Sequence, residues 1–179
     1  MQKPKNLHSL DVKAFAKANM HLEGDTPLVD LKRLAEDCMG DLTGQVSWSA
    51  QGAMAADQKG KDAVWLHLEA KTTAPLTCQR CLQPVGVELL IEQDFRFVAD
   101  EATALAEDDE SEEDLLVLED SFDLMALIED ELLMSLPLVP MHPTCLSERA
   151  PTSKEEAAIL AKAKSNPFAV LASLKVPKH

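Results

Sequence analysis

The 179-residue sequence contains no tyrosine, and aromatic residues make up only 4% of it. Proteins that bind single-stranded nucleic acid stack bases on aromatic side chains, so this chain is poorly equipped for that mode of binding. No stretch approaches the roughly 20 apolar residues of a transmembrane helix, and residues 1–15 lack the apolar segment of a signal peptide. We therefore expect a cytoplasmic protein without membrane contact, whose four cysteines stay reduced.

Motifs of nucleophilic catalysis and of nucleotide binding are also missing. The sequence has no G-x-S-x-G nucleophile elbow, no P-loop and no glycine-rich dinucleotide turn. None of its histidines adjoins a serine or cysteine in a nucleophile motif. Nothing in the sequence therefore supports an enzyme, and we predict that the protein is not one.

The net charge of −14 is concentrated in one segment, Asp100 to Glu131, which we call the acidic block. It contains 15 acidic residues and no lysine or arginine, whereas the rest of the chain has 16 acidic and 17 basic residues. Residues 100–114 lack hydrophobic periodicity, which predicts a mobile loop. Such a block repels DNA and RNA phosphates and attracts basic proteins, although it can also be a solvated loop that only aids solubility. The carboxylates that we assign to partner binding are those of Glu107, Asp108, Asp109, Glu110, Glu112, Glu113 and Asp114.

Alternating apolar and polar residues predict an α+β fold. Three segments with this alternation begin at Val46, Val64 and Val85, and they predict an antiparallel sheet of three to five strands with flanking helices. Residues 115–118 are a candidate edge strand. Two prolines, Pro75 and Pro84, are expected to bracket the turn between two strands, because proline fits poorly inside a hydrogen-bonded ladder.

Capping patterns predict the helices of a single domain spanning residues 1–179. The first forty residues read as mostly helical, with a short helix at 11–19 and a second helix capped by Thr26 with proline at its first position. Ser121 is a candidate cap for a helix over 122–136 that ends before a proline. A tail at about 150–179 contains alanine-rich residues 153–164 and a short C-terminal helix that opens with Asn-Pro.

The pair Cys78 and Cys81 has the spacing of a zinc half-site. The second half-site is expected from His142 and Cys145, with Cys38 as the other candidate. Three thiolates and one imidazole would form a closed structural site that ties the turn to the segment after the main helix. Two alternatives stay open: a redox pair, which normally lies at a helix N-terminus, and a tight turn without a ligand.

Three motifs together resemble the YceD family, whose members are named large ribosomal RNA subunit accumulation proteins. The motifs are CQRCLQP, DLMALIEDELLMSLPLVPMH with a following cysteine, and NPFAVLASLK, and the similarity extends from about Val46 to Lys175. The resemblance implies a role in the synthesis, processing or accumulation of 23S rRNA, and no catalytic activity is established for the family. Some relatives carry more cysteines after the Leu-Pro segment than this chain does. The residues that match the family motifs are Cys78, Arg80, Cys81, Pro84, Glu129, Glu131, Leu136, Pro137, Asn166, Pro167 and Phe168.

The charge and the resemblance together predict the class of partner. A protein that contacts ribosomal RNA directly is normally basic, because neutralisation of phosphates drives such binding. This chain is acidic, so we expect a basic ribosomal or assembly protein as its partner and only an indirect link to 23S rRNA. Beside the acidic carboxylates, the residues assigned to partner binding are Arg80, Asn166, Pro167, Phe168 and Leu171.

Two other functions stay open at this point. One is direct binding of precursor RNA through Arg80, Arg96 and the lysine-containing tail 154–178. The other is a metal-dependent RNA-processing enzyme, since acidic clusters can hold the two ions of a nuclease. A contiguous run of carboxylates is poorly preorganised for that chemistry.

Overall fold

The computed structural model describes residues 6–145, of which residues 6–142 belong to one compact unit. None of the described helices is long and apolar enough to cross a lipid bilayer. The elements in chain order are α1 (Val12–Lys17), β1 (His21–Pro27), a 3-10 turn (Leu28–Asp30), α2 (Lys32–Asp37), β2 (Gln45–Ala56), β3 (Asp62–Thr77), β4 (Pro84–Val98), α3 (Glu101–Glu107), a 3-10 turn (Asp108–Glu110), β5 (Asp114–Val117) and α4 (Leu124–Met134).

The five strands form one sheet in the order β1-β2-β3-β4-β5. Neighbours from β1 to β4 are antiparallel, as the alternation predicts, but β5 runs parallel to β4. The sheet is therefore mixed and not antiparallel throughout. The cause is α3, which lies between β4 and β5. This connection carries the chain back along β4, so that β5 runs in the same direction as β4. The predicted edge strand at 115–118 is present one residue earlier.

One face of the sheet is covered by helices and holds the core. Helix α1 packs on β2 and β3, and α4 packs on β3 and β4. The strand residues on this face alternate with exposed ones, and the predicted alternation of Val46, Val64, Leu66 and Leu68 is confirmed by their burial. Close packing reaches the backbone at Gly52, where an added Cβ would lie 2.5 Å from a ring carbon of Phe15.

The prediction that the first forty residues are mostly helical is wrong in part. Helix α1 lies inside the predicted range, but residues 21–27 are strand β1. Pro27 is the last residue of that strand and not the first of a helix. It lies on the outer strand, where the N–H that proline lacks costs least.

Pro75 is also placed differently from the prediction, inside β3, whereas Pro84 is the first residue of β4. The Pro75 carbonyl accepts a hydrogen bond of 2.6 Å from the Met39 N–H. The backbone nitrogen and carbonyl of a strand residue point to the same side of the strand, so the nitrogen of Pro75, like its carbonyl, points away from β4. The ladder between β3 and β4 therefore loses no hydrogen bond to this proline.

Two predictions in the acidic block, a mobile loop and a helix cap, need correction. Residues 101–107 are helix α3 and not a loop, because Asp100 caps the helix by accepting from Thr103 N–H and alanine, a strong helix former, fills alternate positions. Helix α4 is capped by Asp123, which accepts from Ala126 N–H, and not by Ser121. Helix α4 lies inside the predicted range 122–136 and buries Leu124, Leu127, Ile128 and Leu132.

Several predictions lie outside the described residues. They are the helix at 153–164, the short C-terminal helix, and the assigned partner residues Asn166, Pro167, Phe168 and Leu171.

Candidate metal centre and acidic surface

The two cysteines of the Cys-x-x-Cys motif lie in the hairpin turn between β3 and β4. Cys78 N–H donates to the Gln83 carbonyl at 3.0 Å, and Leu82 N–H donates to the Cys78 carbonyl at 2.9 Å. Leu82 has φ of 60°, in the left-handed region, which lets the chain reverse within the motif. The motif is followed by a strand and not by a helix, so no helix dipole is available to activate a redox thiol.

The segment after α4 passes over this turn. Gln79 N–H donates to the Pro140 carbonyl at 2.9 Å, and a guanidinium nitrogen of Arg80 donates to the His142 carbonyl at 3.4 Å. These bonds bring the imidazole of His142 to the turn, with its Nδ1 3.4 Å from Cys81 Sγ. The residues that follow α4 in the sequence are therefore tied to the hairpin.

Cys78, Cys81, His142 and Cys145 form a group of potential metal ligands, as their spacing predicts. One ligand atom from each residue lies within 4.8 Å of all the others. The His142 Nε2 is 3.0 Å from the Pro84 carbonyl, which can only accept, so Nε2 carries the proton. The lone pair of Nδ1 is then directed to the sulfurs. This outer hydrogen bond is the kind that orients metal-binding histidines in proteins.

The backbone favours the thiolate form of Cys78, which is fully buried. Burial by itself raises the pKa of a thiol, but the Cys78 sulfur accepts hydrogen bonds from the backbone N–H groups of Cys81, His142 and Arg80. Together these bonds outweigh burial and lower the pKa of Cys78 to about 5. Thiolates are the form in which cysteine binds metals.

The donor set suits a tetrahedral, soft or borderline ion. Three sulfurs and one imidazole nitrogen are a common set for structural zinc, and they leave no position for a reacting water. Cys38, the other candidate ligand, does not belong to the group. Burial, with the nearby charge of Asp37, raises the pKa of Cys38, so its thiol stays protonated.

The acidic block is held in place by two cations that come from elsewhere in the sequence. Arg96 on β4, with 6% of its side chain exposed, bonds Glu107 at 2.9 Å and Glu113 at 2.5 Å. Its guanidinium also donates to Ser111 Oγ at 2.9 Å. Lys59, in the turn between β2 and β3, bonds the second oxygen of Glu107. The hydrogen bonds from Lys59, the larger effect, and from Arg96 hold the pKa of Glu107 below its ordinary value.

The assigned acidic residues therefore divide into three groups. Glu107 and Glu113 are bonded to Lys59 and Arg96. Four others are exposed: Asp108, Asp109, Glu110 and Glu112. Asp114 is exposed as well, but its carboxylate accepts from the Gln93 amide at 2.8 Å. Within residues 6–145 the block contains no metal-binding group of three carboxylates.

Two of the residues that match family motifs have structural contacts that the sequence does not reveal. Glu129 on α4 accepts from the backbone N–H groups of Arg33 and Leu34 and thereby caps α2. Its second oxygen bonds the Arg33 guanidinium at 3.1 Å. Burial, with the charges of Asp114 and Asp130, raises the pKa of Glu131. A contact across 96 residues leaves no local signal, so only the fold identifies this cap.

Comparison with known proteins gives a consistent identity. The family model described as large ribosomal RNA subunit accumulation protein YceD matches residues 66–175. A protein from Haemophilus influenzae with that name is 35% identical over 186 aligned positions, which cover 98% of this chain and 99% of the relative. No solved structure matches the chain. The chain belongs to the YceD family of large ribosomal RNA subunit accumulation proteins.

Proposed function

We propose that the protein is a non-enzymatic cytoplasmic factor in large ribosomal subunit biogenesis, which supports accumulation of 23S rRNA by binding a basic ribosomal or assembly protein. Family membership supports the link to the large subunit. Ribosomal RNA that is not assembled with protein is exposed to degradation, so a factor that holds or delivers a basic subunit protein affects the amount of RNA without contacting it.

The observation that carries the proposal is the distribution of charge. A net charge of −14 opposes contact with phosphates, whereas complementary charge attracts a cationic protein and speeds its association. The fold strengthens this argument, because Arg96 and Lys59 fix the block while Asp108, Asp109 and Glu110 remain exposed at its tip. An acidic surface that is held in one conformation loses less conformational entropy on binding a partner than a mobile loop does.

Direct binding of precursor RNA receives less support from the structure. Arg96, one of the two arginines considered for that role, is buried and bonded to two carboxylates. Arg80 is exposed, although it donates to the His142 carbonyl. The lysine-containing tail lies outside the described residues.

As part of the same proposal, Cys78, Cys81, His142 and Cys145 hold zinc in a structural role. The supporting observations are the donor set, the orientation of His142 by Pro84, and the backbone bonds to the Cys78 sulfur. Elemental mass spectrometry of the purified full-length chain is expected to find one zinc per molecule. A Cys81→Ser variant that folds but retains the same zinc content would contradict the assignment.

The experiment for the function compares the two classes of partner directly. The purified, immobilised chain is exposed to salt-extracted large-subunit proteins free of RNA and, separately, to naked 23S rRNA, over a series of salt concentrations. We expect retention of one or a few basic proteins and no tight binding of the RNA at physiological salt. Tight, steeply salt-dependent binding of naked RNA would overturn the proposal.

A matched pair of variants tests the tip of the acidic block. The tip variant carries Asp108→Asn, Asp109→Asn and Glu110→Gln and leaves Glu107 and Glu113 bonded to Arg96. The control carries Asp30→Asn, Glu36→Gln and Asp37→Asn, which are exposed residues in or beside α2. Both remove three negative charges, so a loss of binding confined to the tip variant assigns the effect to position and not to net charge.

A further inference from the structure

The open face of the sheet, opposite the core, carries charges that the linear sequence does not show. Its residues follow from strand alternation and register, since each row across β1–β4 joins residues on the same face. One row consists of Glu23, Ser49, Glu69 and Glu92, all at least partly exposed. The exposed carboxylates on this face of β1–β4 are those of Glu23, Asp25, Glu69, Glu88, Glu92 and Asp94.

Positive charge on this face is scarce. Lys71 is the one exposed lysine or arginine at the open-face positions of β1–β4, and it is bonded to Glu88 at 2.5 Å. His67 lies 2.7 Å from Asp94 and 3.6 Å from Glu69, and His21 lies 3.7 Å from Glu23. Six exposed carboxylates and one exposed lysine therefore give this face an excess of negative charge.

The face is a hollow and not a flat surface. A cavity of about 690 Å³ lies on it, lined by residues from all four strands, including Glu23, Glu69 and Glu92. Leu90 also lines it, with 67% of the residue exposed, which adds an apolar contact next to the carboxylates. A shallow acidic hollow with an apolar patch suits the aliphatic stem and charged end of lysine or arginine side chains.

The open face extends along β4 from the hollow to the acidic block. Arg96 follows Asp94 at the next position on the same face of β4, and its guanidinium bonds Glu107 on α3. The C-terminal end of α3 and the block tip at 108–110 therefore lie at one end of the open face. The acidic residues from two distant parts of the sequence form one surface.

We infer that this open sheet face, together with the block tip, is the surface that binds a lysine- and arginine-rich extended segment of a partner protein. The inference rests on the proposed function, which it deepens by naming the surface and the form of the ligand. Strands lie about 4.8 Å apart, so the row from Glu23 to Glu92 spans about 14 Å. An extended peptide of about ten residues covers roughly 33 Å and can reach from this row toward the block tip.

The experiment uses the full-length chain and a fluorescent ten-residue peptide of alternating lysine and serine. A face variant carries Glu23→Gln, Glu69→Gln and Glu92→Gln, and the Asp30/Glu36/Asp37 variant again serves as the control with equal net charge. Removing like charges from one cross-strand row is not expected to harm folding, which circular dichroism checks. We expect the face variant to bind the peptide roughly tenfold more weakly than the control, equivalent to about 1.4 kcal/mol, as for the loss of three exposed ion pairs.

Backbone amide chemical shifts of the labelled chain locate the peptide independently. Shifts are expected to concentrate at open-face residues of β1–β4 and at 108–110. Equal weakening in the face variant and the control, or shifts spread over α1 and α2, would overturn the inference.

The same variants separate this inference from the proposed function. If the wild-type chain retains a basic large-subunit protein and the face variant retains it equally well, the surface is wrong and the function stands. If the wild-type chain retains no such protein, the proposed function fails whatever the peptide shows.

Discussion

Replacement of Arg96 by methionine is expected to destabilise the fold more than the loss of any exposed ion pair. The side chains of Arg96 and Glu113 are 6% and 8% exposed, so their ion pair is shielded from water. Removing one member of a buried pair leaves the other charge without compensation and costs about 3–5 kcal/mol. We expect about 3 kcal/mol, the lower limit of this range, because Lys59 still neutralises Glu107.

Urea unfolding followed by tryptophan fluorescence and by circular dichroism measures this loss. Lys59→Met is the matched control, since it removes a cation from the same carboxylate of Glu107, but Lys59 is 54% exposed. Its effect on the free energy of unfolding is expected to be much smaller, because water screens an exposed pair.

The pH dependence of the free energy of unfolding provides a second test, for which the direction of the change is defined. Lys59 and Arg96 lower the folded-state pKa of Glu107 from its ordinary value of 4.5. The carboxylate therefore stabilises the fold above that value, and this stabilisation is lost as the pH falls through the lowered folded-state pKa. The difference in the free energy of unfolding between wild type and Arg96→Met should narrow below about pH 4.5, because Glu107 becomes protonated and loses its ion pair with Arg96. If Arg96→Met lowers the free energy of unfolding by no more than Lys59→Met does at every pH tested, this explanation is refuted.

Three other predictions concern separate parts of the molecule. In a solution with zinc well above its dissociation constant, chelation by EDTA should lower the melting temperature of the wild type by roughly 10 °C. The melting temperature of Cys81→Ser should not change. Equal melting temperatures of the wild type with and without chelator would contradict a structural ion. By NMR titration, Asp94→Asn should lower the raised pKa of His67, because the hydrogen bond to Asp94 is its main cause, and an unshifted titration would contradict this. The raised pKa means that His67 stabilises the fold fully below about pH 6.5, with the effect lost as the pH rises through the folded-state value. Gly52→Ala should cost about 1–3 kcal/mol in urea unfolding through overpacking against α1, whereas Gly86→Ala, whose nearest neighbour is a methyl group at 3.3 Å, should cost less.

Local patterns in the sequence are sufficient for much of the fold. Alternation of apolar and polar residues predicts β2, β3 and β4, because a strand with one buried face repeats every two residues. The spacing of Cys78 and Cys81 predicts a ligand pair in a turn, and the family motifs carry the link to the large subunit. These features depend on residues close together in the sequence.

Three features that depend on distant residues are not predictable from local patterns. The direction of β5 is decided by α3, but residues 100–114 lack the hydrophobic periodicity that would predict a helix there. The acidic block itself contains no lysine or arginine, but Arg96 and Lys59 reach it from β4 and from the turn before β3. The pairing of Glu129 with the start of α2 likewise joins residues 96 positions apart.

The sequence by itself determined the chemistry available to this protein: a large excess of carboxylates, three thiols and an imidazole at metal-binding spacing, and the alternation that makes a sheet. Only the tertiary structure decided how these groups combine. It placed His142 beside Cys81 across 61 residues and joined the carboxylates of β1, β3 and β4 to the block tip in one surface. The physical reason is that side-chain electrostatics and coordination depend on distances of a few ångströms in space, which strand register and helix packing set and which separation along the chain does not.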